Sequence, residues 1–106
     1  MLTACIRFKM PPATDWEQLK VIARDRAETL YRDIPGLRDK SFIINRERSE
    51  YGGVYTWEDR ASLDAFLASE VFSAAKTKFG TPTIEVFEVA ARVERGNPVN
   101  VATAHA

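Results

Sequence analysis

Three side chains in this 106-residue sequence have types and spacings suited to chemistry on an aromatic ligand. Arg7 carries a guanidinium that stays charged at any working pH and holds an oxyanion such as a phenolate through its fork of N–H donors. Tyr55 and Trp57 stand two residues apart in an aromatic strand and so share one face. Together they can wall a flat ligand and offer it an O–H and an N–H. The structural alternative is a strand arginine paired with a carboxylate, beside an aromatic pair in the core or a dimer interface. Other chemistries lack their residues. The chain has no Gly-rich phosphate loop, no HxxxH or CxxC spacing and no Ser–His pair, which argues against nucleotides, structural metals and acyl transfer. Cys5 alternates onto the face of Arg7, and nothing beside it in sequence activates the thiol. The single histidine, His105, sits in the tail and is expected to be inert.

Fifteen basic residues balance fifteen acidic ones, so no long-range field recruits nucleic acid or anionic lipid. Arg46 and Arg48 resemble a basic patch, but Glu47 and Glu50 interleave them, as on a solvated hairpin end. The longest apolar run, Ala65–Ala68, is far too short to span a membrane. The opening MLTACIRFK reads as a strand and lacks the features of a signal peptide. One cysteine excludes an intramolecular disulfide and a Cys-based metal cage. A cytoplasmic protein is expected, with neither nucleic acid nor membrane as partner.

The elements that must position these groups follow from periodicity. Leu2, Ala4, Ile6 and Phe8 alternate with Thr3, Cys5, Arg7 and Lys9, the period of a strand. After Pro11 and Pro12, Thr14 to Glu17 match a capping box. Trp16, Leu19, Ala23, Ala27, Leu30 and Ile34 form one stripe of a helix over residues 15–33. A second strand spans 38–46, centred on Phe42, Ile43 and Ile44, and Gly52 and Gly53 are expected to supply the hairpin dihedrals before a strand from Val54 to Trp57. Asp59 caps a helix carrying Leu63, Phe66 and Leu67, and Ser69 caps a further segment with Val71, Phe72 and Ala75. Thr83–Val93 is expected as the last and longest strand. The order β-α-β-β-α-β within residues 1–93 predicts a ferredoxin-like α+β domain, a four-stranded antiparallel sheet with helices on one face. Residues 94–106 are expected as a C-terminal tail. The strands carry large apolar side chains on both faces, so the uncovered face predicts a homodimer.

The element order, the length and the Gly52-Gly53-Val54-Tyr55 start of the third strand resemble the YdhR-like putative monooxygenases. These belong to the dimeric α+β barrel superfamily of antibiotic-biosynthesis monooxygenases and haem-degrading enzymes. The likeness covers residues 1 to about 93 and is strongest over 52–76. It implies a monooxygenase acting on a small aromatic or quinol-like compound between sheet and helices, with no cofactor. The substrate ionises and its electron-rich anion passes an electron to oxygen. Such a pocket needs apolar walls, donors for the oxyanion and exclusion of water. The superfamily places a polar active-site group where Arg7 stands, which makes Arg7, Tyr55 and Trp57 the catalytic candidates. Cys5, Phe42, Phe66, Phe72 and Phe87 are the candidate walls, Lys76 the group at the mouth and Trp16 a rim residue. The haem-degrading branch has an indole where this chain has Phe66 and its haem-ligating histidine where it has Lys76. An ammonium is no iron ligand until it loses its proton, so haem degradation is not expected. Two rival functions share the fold: a non-catalytic dimeric module binding a small ligand, and a cofactor-free isomerase or dehydratase.

Overall fold

A computed structural model describes residues 1–101 of the chain. Alternation makes Leu2–Lys9 the first strand, β1, with Ala4, Ile6 and Phe8 buried on one face. Helix α1 (Trp16–Thr29) follows, then β2 (Leu37–Asn45), β3 (Glu50–Trp57), α2 (Arg60–Leu67), α3 (Glu70–Phe79) and β4 (Thr83–Glu88). The four strands form an antiparallel sheet in the order β2-β3-β1-β4. This is the ferredoxin-like α+β arrangement, with the second helical segment in two pieces. A hairpin of β5 (Arg92–Glu94) and β6 (Asn97–Val99) is added after it.

Register decides which side chains meet. Ala4 stands opposite Tyr55 and Val86, Ile6 opposite Gly53 and Ile84, Lys40 opposite Tyr55, and Phe42 opposite Gly53. Cross-strand partners share a face, so all of these point to the helix side. There Trp57, Ile6 and Leu63 are fully buried, and Tyr55, Phe66 and Phe72 nearly so. Cys5, Arg7, Ser41, Ile43, Val54, Thr56, Glu85 and Phe87 take the outer face by the same rule. The helices do not cover the edge strand β4, whose Ile84 and Val86 stay 40% and 36% exposed, and Phe87 on the outer face is 52% exposed.

Local details differ from the sequence expectations for identifiable reasons. Asp15 rather than Thr14 caps α1: its carboxylate accepts from the Gln18 amide at 3.0 Å, while the Thr14 hydroxyl is spent on the Pro11 carbonyl. Asp59 and Ser69 cap α2 and α3 as expected. The β2–β3 turn takes its positive φ at Ser49, not at the glycine pair, and Gly52 and Gly53 lie inside β3. The last strand does not run on to Val93. It stops at Glu88, and residues 92–99 fold into the hairpin, so part of the expected tail is paired backbone. Arg92 anchors that hairpin to the sheet through Asp39 and the Thr56 hydroxyl. His105 lies outside the described residues.

Gly52 is required by close approach. A Cβ there would stand 1.8 Å from the Ile6 carbonyl oxygen, a backbone atom that cannot move aside without breaking the β1–β3 ladder. Gly52→Ala is therefore expected to cost about 2–4 kcal/mol of unfolding free energy, measured by denaturant titration. An unchanged midpoint would show that the ladder yields more cheaply than this contact implies.

Candidate functional site

A cavity of about 160 Å³ opens between the sheet, α1 and α3. Leu19 and Ala23 are the buried residues of α1, while Ile22, Arg26 and the C-cap residue Leu30 line the cavity. Tyr31, just past the end of α1, closes one side, and Val71, Ala75 and Lys78 of α3 close the other. The sheet supplies the floor through Phe8, Lys40, Phe42, Tyr51 and Tyr55. A second, more open cleft of about 450 Å³ lies between the Ile34–Pro35 turn, α2 and Phe66. Its one ionisable group, Asp59, is committed to capping α2, which leaves that cleft little chemistry.

Lys40 is the unusual group in the smaller cavity. Its Nζ lies 3.4, 3.8 and 4.3 Å from the ring centroids of Tyr31, Phe42 and Tyr55. Gly53 makes this possible, because a Cβ there would fall 2.7 Å from Lys40 Cε and 2.9 Å from the Tyr55 ring. Burial pushes the amine down from 10.5 to about 6, and no opposite charge offsets it. The three ring faces work the other way, since their negative quadrupoles favour a cation. The amine is thus poised between its neutral form and an ammonium already enclosed by aromatic faces. Burial raises the Tyr55 and Tyr31 hydroxyls, so both remain protonated donors at neutral pH. Among the described residues there is no cluster of three or more His, Cys, Asp or Glu side chains that would hold a metal ion.

The residues singled out from sequence divide sharply. Tyr55, Phe42 and Phe72 line the cavity. Trp57 stands one layer behind, its ring 5.9 Å from that of Tyr55 and nearly parallel to it. Phe66 packs against Tyr31, Tyr55, Trp57 and Phe72 and faces the second cleft. Arg7 does not reach the cavity. Alternation with Ile6 and Phe8 turns it to the outer face, where Nη1 donates to Glu85 Oε1 at 2.6 Å and to Cys5 Sγ at 3.4 Å, and Nε lies 3.7 Å from Glu50. There it lines an outer groove with Ile43 and Asn45. Cys5 and Phe87 share that outer face and are likewise remote from the cavity. Lys76 is exposed on α3, its Nζ 5.2 Å from the Phe72 ring, and it is Lys78 that faces the opening. The α3 residues that line the cavity include Val71, Ala75 and Lys78, and Lys76 is not among them. Trp16 is half-buried against the core and is not a lining residue. Lys40, Tyr31, Arg26 and Lys78 were not foreseen. The signal for Lys40 was its alternation with Phe42 and Ile44, which puts it on their buried face.

The family described as "Putative mono-oxygenase ydhR" matches residues 6–97. The chain belongs to this family. No curated protein matches it. Solved structures of similar fold include the NE2512 protein of unknown function from Nitrosomonas europaea, at 20% identity over 88% of this chain and 92% of that one, with a TM-score of 0.68. A variant of SnoaB, a cofactor-independent oxygenase from Streptomyces nogalater, is 22% identical over 84% and 92% of the two chains, with a TM-score of 0.61. A variant of MhuD, with two manganese protoporphyrin IX molecules bound per active site, is 16% identical over 89% and 99%, with a TM-score of 0.65. At these identities the likenesses speak to fold. No helix of the described residues is long and apolar enough to cross a membrane.

The Lys40 environment has a consequence for stability. Its folded-state pKa, about 6, lies below its ordinary value of 10.5. Between those two values the unfolded chain holds a proton that the folded chain has released. Stability therefore rises with pH across that window, by at most ~1.4 kcal/mol per pH unit, and the penalty is full below it. Lys40→Met is expected to flatten this slope in urea titrations at pH 6, 7.5 and 9. Parallel pH profiles for the two proteins would mean that the ring faces hold the ammonium fully charged.

Proposed function

We propose that the protein is a monooxygenase that works without metal or flavin on a small phenolic or quinol-like compound bound in the cavity between sheet and helices. Family membership supports the reaction class, and SnoaB, of similar fold, is described as a cofactor-independent oxygenase. The observation that carries the reading is the Lys40 amine, buried among three aromatic rings on the cavity floor. In its neutral form it takes the proton of the substrate hydroxyl. The ammonium so formed lies within contact distance of the faces of Tyr31, Phe42 and Tyr55, which stabilise it, and it lies beside the phenolate it has created. The phenolate transfers an electron to oxygen, the two radicals combine at a ring carbon, and loss of water gives the quinone. Overall, one phenol and one O2 yield one quinone and one water. The Tyr31 hydroxyl, hydrogen-bonded to that of Tyr55, donates to the developing oxyanion, and Trp57 holds the Tyr55 ring in place. Apolar walls exclude bulk water. The catalytic cation that Arg7 was expected to provide is assigned to Lys40 in this reading, and Arg7 supports the outer face of the sheet.

The reading includes a cytoplasmic homodimer. The exposed apolar residues of β4 beside an unpaired sheet edge suit a second copy. Sedimentation at micromolar concentration is expected to give about twice 12.0 kDa, and a clean monomer would remove this part.

Oxygen uptake with simple phenols and hydroquinones tests the reaction. The rate is expected to rise with pH through about 6 as Lys40 loses its proton, and then to level off. Lys40→Met is expected to lower it by about 10²–10⁴-fold, the usual loss on removing a general base. Arg7→Ala should lower the melting temperature and leave the rate of the folded protein near normal. Product formed without oxygen consumption would point instead to an isomerase or dehydratase using the same amine. Flavin or haem co-purifying in stoichiometric amount, seen by visible absorption, would overturn the cofactor-independent mechanism.

A further inference from the structure

The groups lining the cavity carry one sign of charge. Arg26 from α1, Lys78 from α3 and Lys40 from β2 all line it, and no aspartate or glutamate does. In a chain with equal numbers of acidic and basic residues, this segregation is local. The outer sheet face shows the contrast. There Arg7, Arg38 and Arg92 each have carboxylates within ion-pairing distance. Arg26 and Lys78 have no such partner among the described residues.

Helix electrostatics account for part of this. Arg26 and Lys78 both lie in the last turn of their helices, where a cation offsets the negative end of the dipole. That explains a basic residue on each helix. It does not explain why Arg26 is half-buried on the cavity face, where its charge bears on the hydroxyls of both Tyr31 and Tyr51. Nor does it explain Lys78, since Lys76 already serves the end of α3 from outside the cavity.

We infer that the ligand of this cavity is an aromatic acid: its ring lies over the Lys40, Phe42 and Tyr55 floor, and its carboxylate lies between Arg26 and Lys78 at the rim, one on each flanking helix. This rests on the cavity being the binding site proposed above and adds the chemical class of its ligand. A volume of about 160 Å³ suits a single ring with a short side chain. A fixed carboxylate at the rim would also fix how the ring lies on that floor.

The test compares p-hydroxyphenylpropanoate with p-hydroxyphenylpropanol, which have the same ring and chain length and differ in charge, by calorimetric titration of the full chain. The acid is expected to bind at least about tenfold tighter, as one charge-assisted hydrogen bond allows. Raising the salt concentration should erode that advantage. The double variant Arg26→Gln, Lys78→Gln is expected to bring the affinities for acid and alcohol together, while Arg26→Lys retains most of the difference. Equal affinities, failure of both compounds to bind, or an advantage that survives the double variant would each overturn the inference. Oxygen uptake, recorded separately, keeps the two readings apart. Tight acid binding without uptake leaves the ligand class standing and removes the oxygenase. Uptake supported equally by acid and alcohol does the reverse.

Discussion

The site depends on room that Gly53 leaves on the helix side of β3. Lys40 comes across from the neighbouring strand β2, and its Cε passes 2.7 Å from where a β-carbon on residue 53 would sit. Tyr55, next on the same face, leans over the same gap. Without that gap the amine could not settle among three rings, and the floor of the cavity would close over with side chains. Gly52 beside it answers to a different constraint. It lets β1 and β3 approach closely and so fixes the ladder on which every face assignment rests. Two adjacent glycines thus serve packing on one side and backbone contact on the other.

The two faces of the sheet treat charge differently. On the outer face arginines meet carboxylates at short range, Arg7 with Glu85 and Arg92 with Asp39, in partly exposed positions where such pairs add modestly to stability. On the helix side Lys40 has no counter-ion and takes its stabilisation from ring faces, which are weaker partners for a full charge. A lysine so placed costs the fold something. Costs of this kind are commonly found where a shifted ionisation is put to use.

Much of the fold was legible in the sequence because strand alternation and helix caps are local signals. Leu2 to Lys9 gave β1 directly, and Asp59 and Ser69 marked the starts of α2 and α3. The site was harder to read. Lysine is ordinarily a surface residue, so its type does not single out Lys40, although Phe42 and Ile44 define its face. Arg7 shows the converse. Its chemistry suited a catalytic role, yet its alternation with Ile6 and Phe8 put it opposite the core. Tyr31 continues the four-residue spacing of Ala23 and Ala27, but it follows the helix, and its position depends on where α1 ends. Charge segregation around the cavity brings together residues from α1, β2 and α3, and no local window contains it.

Trp57 gives the molecule a built-in optical probe. Its indole is wholly enclosed, stacked on Tyr55 and next to Phe66, with Nε1 lacking any hydrogen-bond partner. An indole in such dry surroundings emits at the short-wavelength end of its range, and light absorbed by Tyr55 is passed to it over that short separation. The other indole, Trp16, sits half-exposed at the start of α1 and contributes a redder background that a Phe replacement would remove. Since Tyr55 forms part of the cavity floor and stacks on Trp57, a ligand that shifts the Tyr55 ring would be expected to change the emission of an indole it does not touch.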